Sequence, residues 1–173
     1  MDTRKFAMNH GAVLGVCLVL IASLFWMFGF DEQESVLPFI INNLLIVGFF
    51  YYSITYYRDN AGNGFISYSS SLKLGTSIAF FYSVIMAFYT FIYMSYLNPD
   101  FLTNFYKVAE QSILQSQPEI QEEELDRALQ VLRNIMQPHF LMILVVLYRT
   151  FMGFFLSAIL SFFIKRIDVN NIA

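Results

Sequence analysis

HFLMILVVLYRTFMGFFLSAILSFFI, residues 139–164, is 26 residues long and carries one charge, Arg149. At about 1.5 Å of rise per residue it exceeds the roughly 20 residues that cross a hydrocarbon core. Arg149 falls about 15 Å along it, near the depth of the bilayer centre. A guanidinium there is costly, so it should face other helices and not lipid. Arg149, Gly153, Ser157 and Ser161 recur every four residues and so share one helix face. Small residues at that period let membrane helices approach closely. The stretch therefore reads as one span of an all-α membrane bundle.

The rest of the chain agrees. Its 173 residues are 57% hydrophobic and 13% charged, against about 45–50% and 25% in soluble domains. The excess lies in four runs, about 10–30, 36–57, 74–97 and 139–164, which make 1–173 a single polytopic membrane domain. The rival for the first run is a signal peptide. The run is longer than a 7–15-residue apolar core, however, and no small-x-small site precedes Asp31, so a retained span is expected. Gly11 and Gly15 form a GxxxG pair in it. Cys17 is the only cysteine, which removes any intrachain disulfide or thiol metal site.

Asp31–Ser35 reads as a tight acidic turn. In the second span Asn42 and Asn43 are the main polar residues, and Tyr51, Tyr52, Tyr56 and Tyr57 form an interfacial belt. Asn60–Gly64 has turn chemistry. The third span carries Gly75, Ala79, Ser83 and Ala87 at four-residue intervals, a packing stripe opposite Phe80, Phe81, Phe88 and Phe91, the bulk expected towards lipid or between helices.

Residues 98–137 read as a helical hairpin outside the membrane. Asn98 is placed to cap, with Pro99 at the first helical position and Asp100 at the positive helix end. Phe101, Phe105, Val108 and Ser112–Ile113 give the first helix its period. Ser116-Gln117-Pro118-Glu119 reads as a capping box opening the second, whose apolar face is Leu125, Ala128/Leu129, Leu132 and Ile135/Met136. The stripe is expected to be covered by the partner helix, by the membrane surface or by another protein.

Four spans put both termini on one side. That side carries Arg4, Lys5, Arg58, Lys73, Lys165 and Arg166 against three acids, a net of +3; the other carries three bases against ten acids, a net of −7. Basic flanks stay inside, so both termini should be cytoplasmic, with the hairpin facing out, into the periplasm if the cell is a diderm bacterium.

No Asp or Glu lies in a span, which weighs against proton or sodium coupling. No nucleotide loop, HExxH, nucleophile elbow or Cys/His cluster appears. No catalytic residue, cofactor, metal or nucleic acid is expected. Arg149 is the chemically unusual position, with Asn42, Asn43, Ser83 and Thr90 as its candidate polar neighbours by depth. It either fixes helix register through carbonyls and hydroxyls, holds a lipid phosphate or anion, or pairs with an acid of another subunit.

The segments His10-Gly11 through Gly15, Tyr57-Arg58-Asp59-Asn60, Gly64–Tyr68 leading to Lys73-Leu74-Gly75, Asn98-Pro99-Asp100-Phe101, and Gly153 to Lys165-Arg166 carry a resemblance. The chain resembles a family of bacterial four-span inner-membrane proteins catalogued only as a domain of unknown function. The resemblance implies the architecture and brings no activity. The reading that follows is a non-enzymatic membrane protein whose partners are the bilayer and another membrane or periplasmic protein, or further copies of itself. The alternative is a small transporter or channel for an anion or lipid, with Arg149 lining the pathway.

Overall fold

The computed structural model describes residues 2–30 and 36–166. The acidic stretch Asp31–Ser35 and the tail holding Asp168 lie outside the described residues. The described chain is helical throughout: α1 Thr3–Met27, α2 Val36–Ala61, α3 Tyr68–Ile92 with a terminal π turn Tyr93–Leu97, α4 Asp100–Ser116, α5 Glu122–Ile135 and α6 Pro138–Ile164. Four of these segments, Thr3–Met27, Val36–Ala61, Tyr68–Leu97 and Pro138–Ile164, are long and apolar enough to cross a membrane. α4 and α5 lie between the third and fourth, so the fold class is the one expected.

Local chemistry sets the ends. α1 starts well before residue 10 because Asp2 caps it, its Oδ1 accepting from the Arg4 amide at 2.9 Å. It stops at a Schellman turn: Phe30 N–H donates to the Phe25 carbonyl, Gly29 N–H to that of Trp26, and Gly29 takes φ +73°. α2 runs four residues past Tyr57. Asn63 and Gly64 then take positive φ, and Gly64 N–H returns to the Arg58 carbonyl at 3.0 Å. α3 starts at Tyr68, earlier than the apolar run, because Ser67 Oγ accepts from the Ser70 amide at 3.2 Å.

The described residues form two compact units, one from residues 2–30, 36–86 and 146–166 and the other from residues 87–145. In the first, α3 and α6 run antiparallel along their small residues. Ser161 Oγ donates to Ser71 Oγ at 2.8 Å. Gly75 faces Ser157 and Gly153 faces Ala79, so closely that a Cβ on either glycine has no room. Ser83 and Thr150 join hydroxyls at 3.1 Å. From residue 71 to 79 each step of four along α3 is matched by four back along α6, and the step to Ser83 is matched by three, to Thr150. α1 lies on α3 through Gly11, against Ile78 and Phe81, and Gly15, against Ile85. From α2, Phe50 sits 6.1 Å from the Tyr82 ring, and Ile54 reaches the Gly75 backbone; both are fully buried. Leu14, Leu18, Leu74 and Ile78 complete this core.

The ends of three helices are tied together by backbone. Ile66 and Arg166 exchange two amide–carbonyl bonds of 2.9 and 3.0 Å. Arg58, bound to Asp59 at 2.7 Å, also donates from Nη1 to the Ile164 carbonyl at 3.4 Å, one of the last carbonyls of α6. Large apolar side chains on the outer faces stay exposed, among them Leu20, Leu44, Phe88 and Phe163. That surface suits lipid, not water.

In the second unit α4 and α5 close on each other. Leu129 is 6% exposed, Tyr106 Oη donates to the Met136 carbonyl at 3.4 Å, and the Arg133 guanidinium lies 5.9 Å from the Tyr106 ring centre. Three local expectations are corrected here. Ser116 does not cap α5: its hydroxyl donates to the Ser112 carbonyl at 2.6 Å, closing α4, and α5 begins at Glu122. Asn98 does not cap α4 with its side chain, which donates to the Tyr93 hydroxyl at 3.1 Å. Of the expected α4 stripe Phe101 and Ile113 are half-buried, but Phe105 and Val108 are exposed, and Leu102, Tyr106 and Ala109, one position along, are covered in their place.

Candidate functional site

Arg149 sits on α6 one turn before Gly153 and is half-buried. Its backbone carbonyl accepts from Tyr82 Oη at 3.5 Å. Neither Tyr82 nor Thr150 was marked by any spacing in the sequence. Tyr82 could have been found only as a polar tip inside an apolar run, which tyrosines in membrane helices commonly are. Ser71 was within reach of the reading, because it stands four residues before Gly75 and extends that stripe by one turn.

The other candidate residues are dispersed. Ser83 Oγ is engaged with Thr150 and with the Phe80 carbonyl at 2.8 Å. Asn43 is exposed and donates to the Phe39 carbonyl of its own helix at 2.8 Å. Asn42 Oδ1 is buried without a hydrogen-bond partner. Thr90 is half-buried and belongs to the second unit. The packing residues Gly11, Gly15, Gly75, Ala79, Ser83, Ala87, Gly153, Ser157 and Ser161 are all buried, and eight of them lie in the first unit.

His10 stacks on Phe6 with ring centres 3.7 Å apart, and its Nδ1 lies 3.1 Å from the Phe6 carbonyl. It is held as part of an aromatic cluster with Phe49 and Tyr56. His139 is exposed. Among the described residues no three His, Cys, Asp or Glu side chains gather as a metal site.

The geometry gives Arg149 a testable signature. Tyr82 meets the backbone of residue 149, so that contact survives any side chain there. Arg149→Leu should therefore leave the melting temperature of the purified protein unchanged or raise it, because an apolar group escapes the cost of a desolvated cation. A fall of several degrees would show instead that the guanidinium itself holds the helices.

Four apolar helices with a polar helical hairpin between the third and fourth define a multi-pass membrane protein. The chain belongs to the family described as "Protein of unknown function (DUF4199)", whose model matches residues 9–166. Neither the comparison with curated proteins nor that with solved structures returned a match.

Proposed function

We propose that this protein is a non-enzymatic membrane partner or scaffold whose α4–α5 hairpin is its protein-binding element, with both termini cytoplasmic and the hairpin outside. The observation that supports it is the division of apolar residues in the hairpin. Leu129 and the Tyr106 side serve closure, while Val108 (60% exposed) and Val131 (58% exposed) do not. Phe105, Leu114 and Ile135 are also exposed. A two-helix element of this size has no further helix to cover them, and surfaces of this kind mark protein interaction sites. The polar remainder, led by Glu122, Glu123 and Glu124, suits the rim of such a contact. The orientation rests on the six basic residues at the other end of the spans.

Two measurements test the reading. Reporter fusions after Asp100 and at the C-terminus should report exterior and cytoplasm respectively; the same side for both would remove the topology. Photo-cross-linkers placed at Val108 and Val131 in the membrane should each give one discrete protein adduct, and one at Glu110, exposed, polar and on another face of α4, should give none. Adducts to lipid alone, or equal yields from all three positions, would remove the partner role.

A further inference from the structure

A second polar feature lies apart from the hairpin. An open groove of about 760 Å³ runs between α1, α3 and α6 at the end of the first unit where basic residues collect. Arg4 and Lys73 stand at one end of it, Thr76 and Ser77 follow, and Phe80, Phe81, Phe154 and Thr150 wall the remainder. On α3, Lys73, Ser77 and Phe80 share a face. From Lys73 to Phe80 the groove descends about 10 Å along the span. It thus passes from cations through hydroxyls to aromatic rings in the direction that leads from headgroup to hydrocarbon.

Its charge is uncompensated. No carboxylate lines the groove, and among the described residues neither Arg4 nor Lys73 makes an ion pair. Asp2, the nearest acid in sequence, is committed to capping the α1 backbone. The hydroxyls are oriented too: Thr76 Oγ1 donates to the Leu72 carbonyl and Ser77 Oγ to the Lys73 carbonyl, both at 2.8 Å. Having donated inward, each offers the groove only lone pairs. Phosphate oxygens suit the two cations, and this polar band suits the ester-linked part of a lipid between phosphate and acyl chain.

We propose that this groove binds an anionic glycerophospholipid, its phosphate at Arg4 and Lys73, its ester-linked glycerol beside Thr76 and Ser77, and one acyl chain along Phe80 and Phe154. A zwitterionic lipid brings a cationic amine to a site that already holds two cations. A soluble anion leaves the aromatic half of the groove unfilled. The lipid matches both halves.

The test is native mass spectrometry of the full-length protein released from nanodiscs of phosphatidylcholine doped with phosphatidylglycerol. The parent should retain phosphatidylglycerol in preference, and the double variant Arg4→Gln/Lys73→Gln should lose that preference by about tenfold or more. Lys5→Gln removes a charge from the same end but not from the groove, and should change nothing. Ser77→Phe keeps both cations and fills the groove beyond them, so it too should release the lipid. Equal retention of the two lipids by the parent overturns the proposal. So does an effect of Lys5→Gln equal to that of the double variant, or retention by a folded Ser77→Phe protein; either would mean diffuse attraction to a charged surface. Displacement by soluble glycerol 3-phosphate would identify a free-anion site and overturn the lipid assignment. Melting curves establish that each variant is folded, and the exposed positions of Arg4 and Lys73 make the charge comparison independent of Ser77.

Discussion

Gly153→Ala should destabilise the protein by about 1–3 kcal/mol, and adding Ala79→Gly should restore most of the loss. The added methyl on Gly153 would meet the Cβ of Ala79 at a separation that real carbon atoms do not adopt. Neither atom is the free end of a flexible chain, since both are fixed to helix backbones. α6 must therefore move away from α3. Movement there also strains the hydroxyl pairs on either side, Ser71–Ser161 and Ser83–Thr150. Exchanging the two residues conserves volume across the seam, so the pair should couple strongly in a double-mutant cycle. Gly48→Ala is the control: nothing lies within 4 Å of the added atom, and the change should be neutral or stabilising by up to about 1 kcal/mol. Comparable losses at 48 and 153, or no recovery with Ala79→Gly, would remove the seam as the organising contact.

This seam was legible before any coordinates. Glycine, alanine and serine at four-residue spacing on two apolar helices have few other uses, because lipid gives no hydrophobic reason for helices to associate and close backbone approach supplies the attraction. The spans were legible for a similar reason: hydrocarbon imposes length and apolarity on any helix that crosses it. Their ends were less so. Helix starts at Thr3 and Tyr68 depend on single capping side chains, Asp2 and Ser67, whose polar neighbours masked them. In the hairpin the sequence misled. Ser116 through Glu119 matches a capping box, but the Ser116 hydroxyl has a nearer acceptor in its own helix, and Pro118 keeps Gln117 out of helical geometry. The choice between the two apolar stripes of α4 could not be made from α4 alone. They stand one residue apart, and it is the Met136 carbonyl and Arg133 on the return side that select Tyr106. The candidate neighbours of Arg149 were chosen by depth, which fixes height in the membrane and leaves rotation about the helix axis open. Ser83 therefore stood at the right height with its hydroxyl turned to Thr150. The lipid groove had no sequence signal at all, since Arg4 is distant in the chain from Lys73 and Phe154.

Leu129→Asp should unfold the hairpin, at a cost of about 3 kcal/mol or more, and leave the seam between α3 and α6 intact. Leu129 is the buried residue of α5, and a carboxylate in its place would lose water without gaining a partner. Hydrogen exchange measures the consequence by region. Amides of α4 and α5 should exchange much faster, while those of residues 71–83 stay protected, because the hairpin and the seam belong to separate compact units. Val131→Asp is the matched comparison. It places the same carboxylate two residues away on the same helix, at a position that is already exposed, and so should leave exchange within the hairpin unchanged. The two variants also divide the roles assigned to the hairpin. Leu129→Asp should abolish partner cross-linking by unfolding the element that presents it, whereas Val131→Asp should abolish it with the hairpin still closed. Equal exchange in the two variants would mean that α5 meets α4 through a different face. Loss of protection at residues 71–83 on Leu129→Asp would mean that the hairpin, and not the run of small residues, holds the spans together.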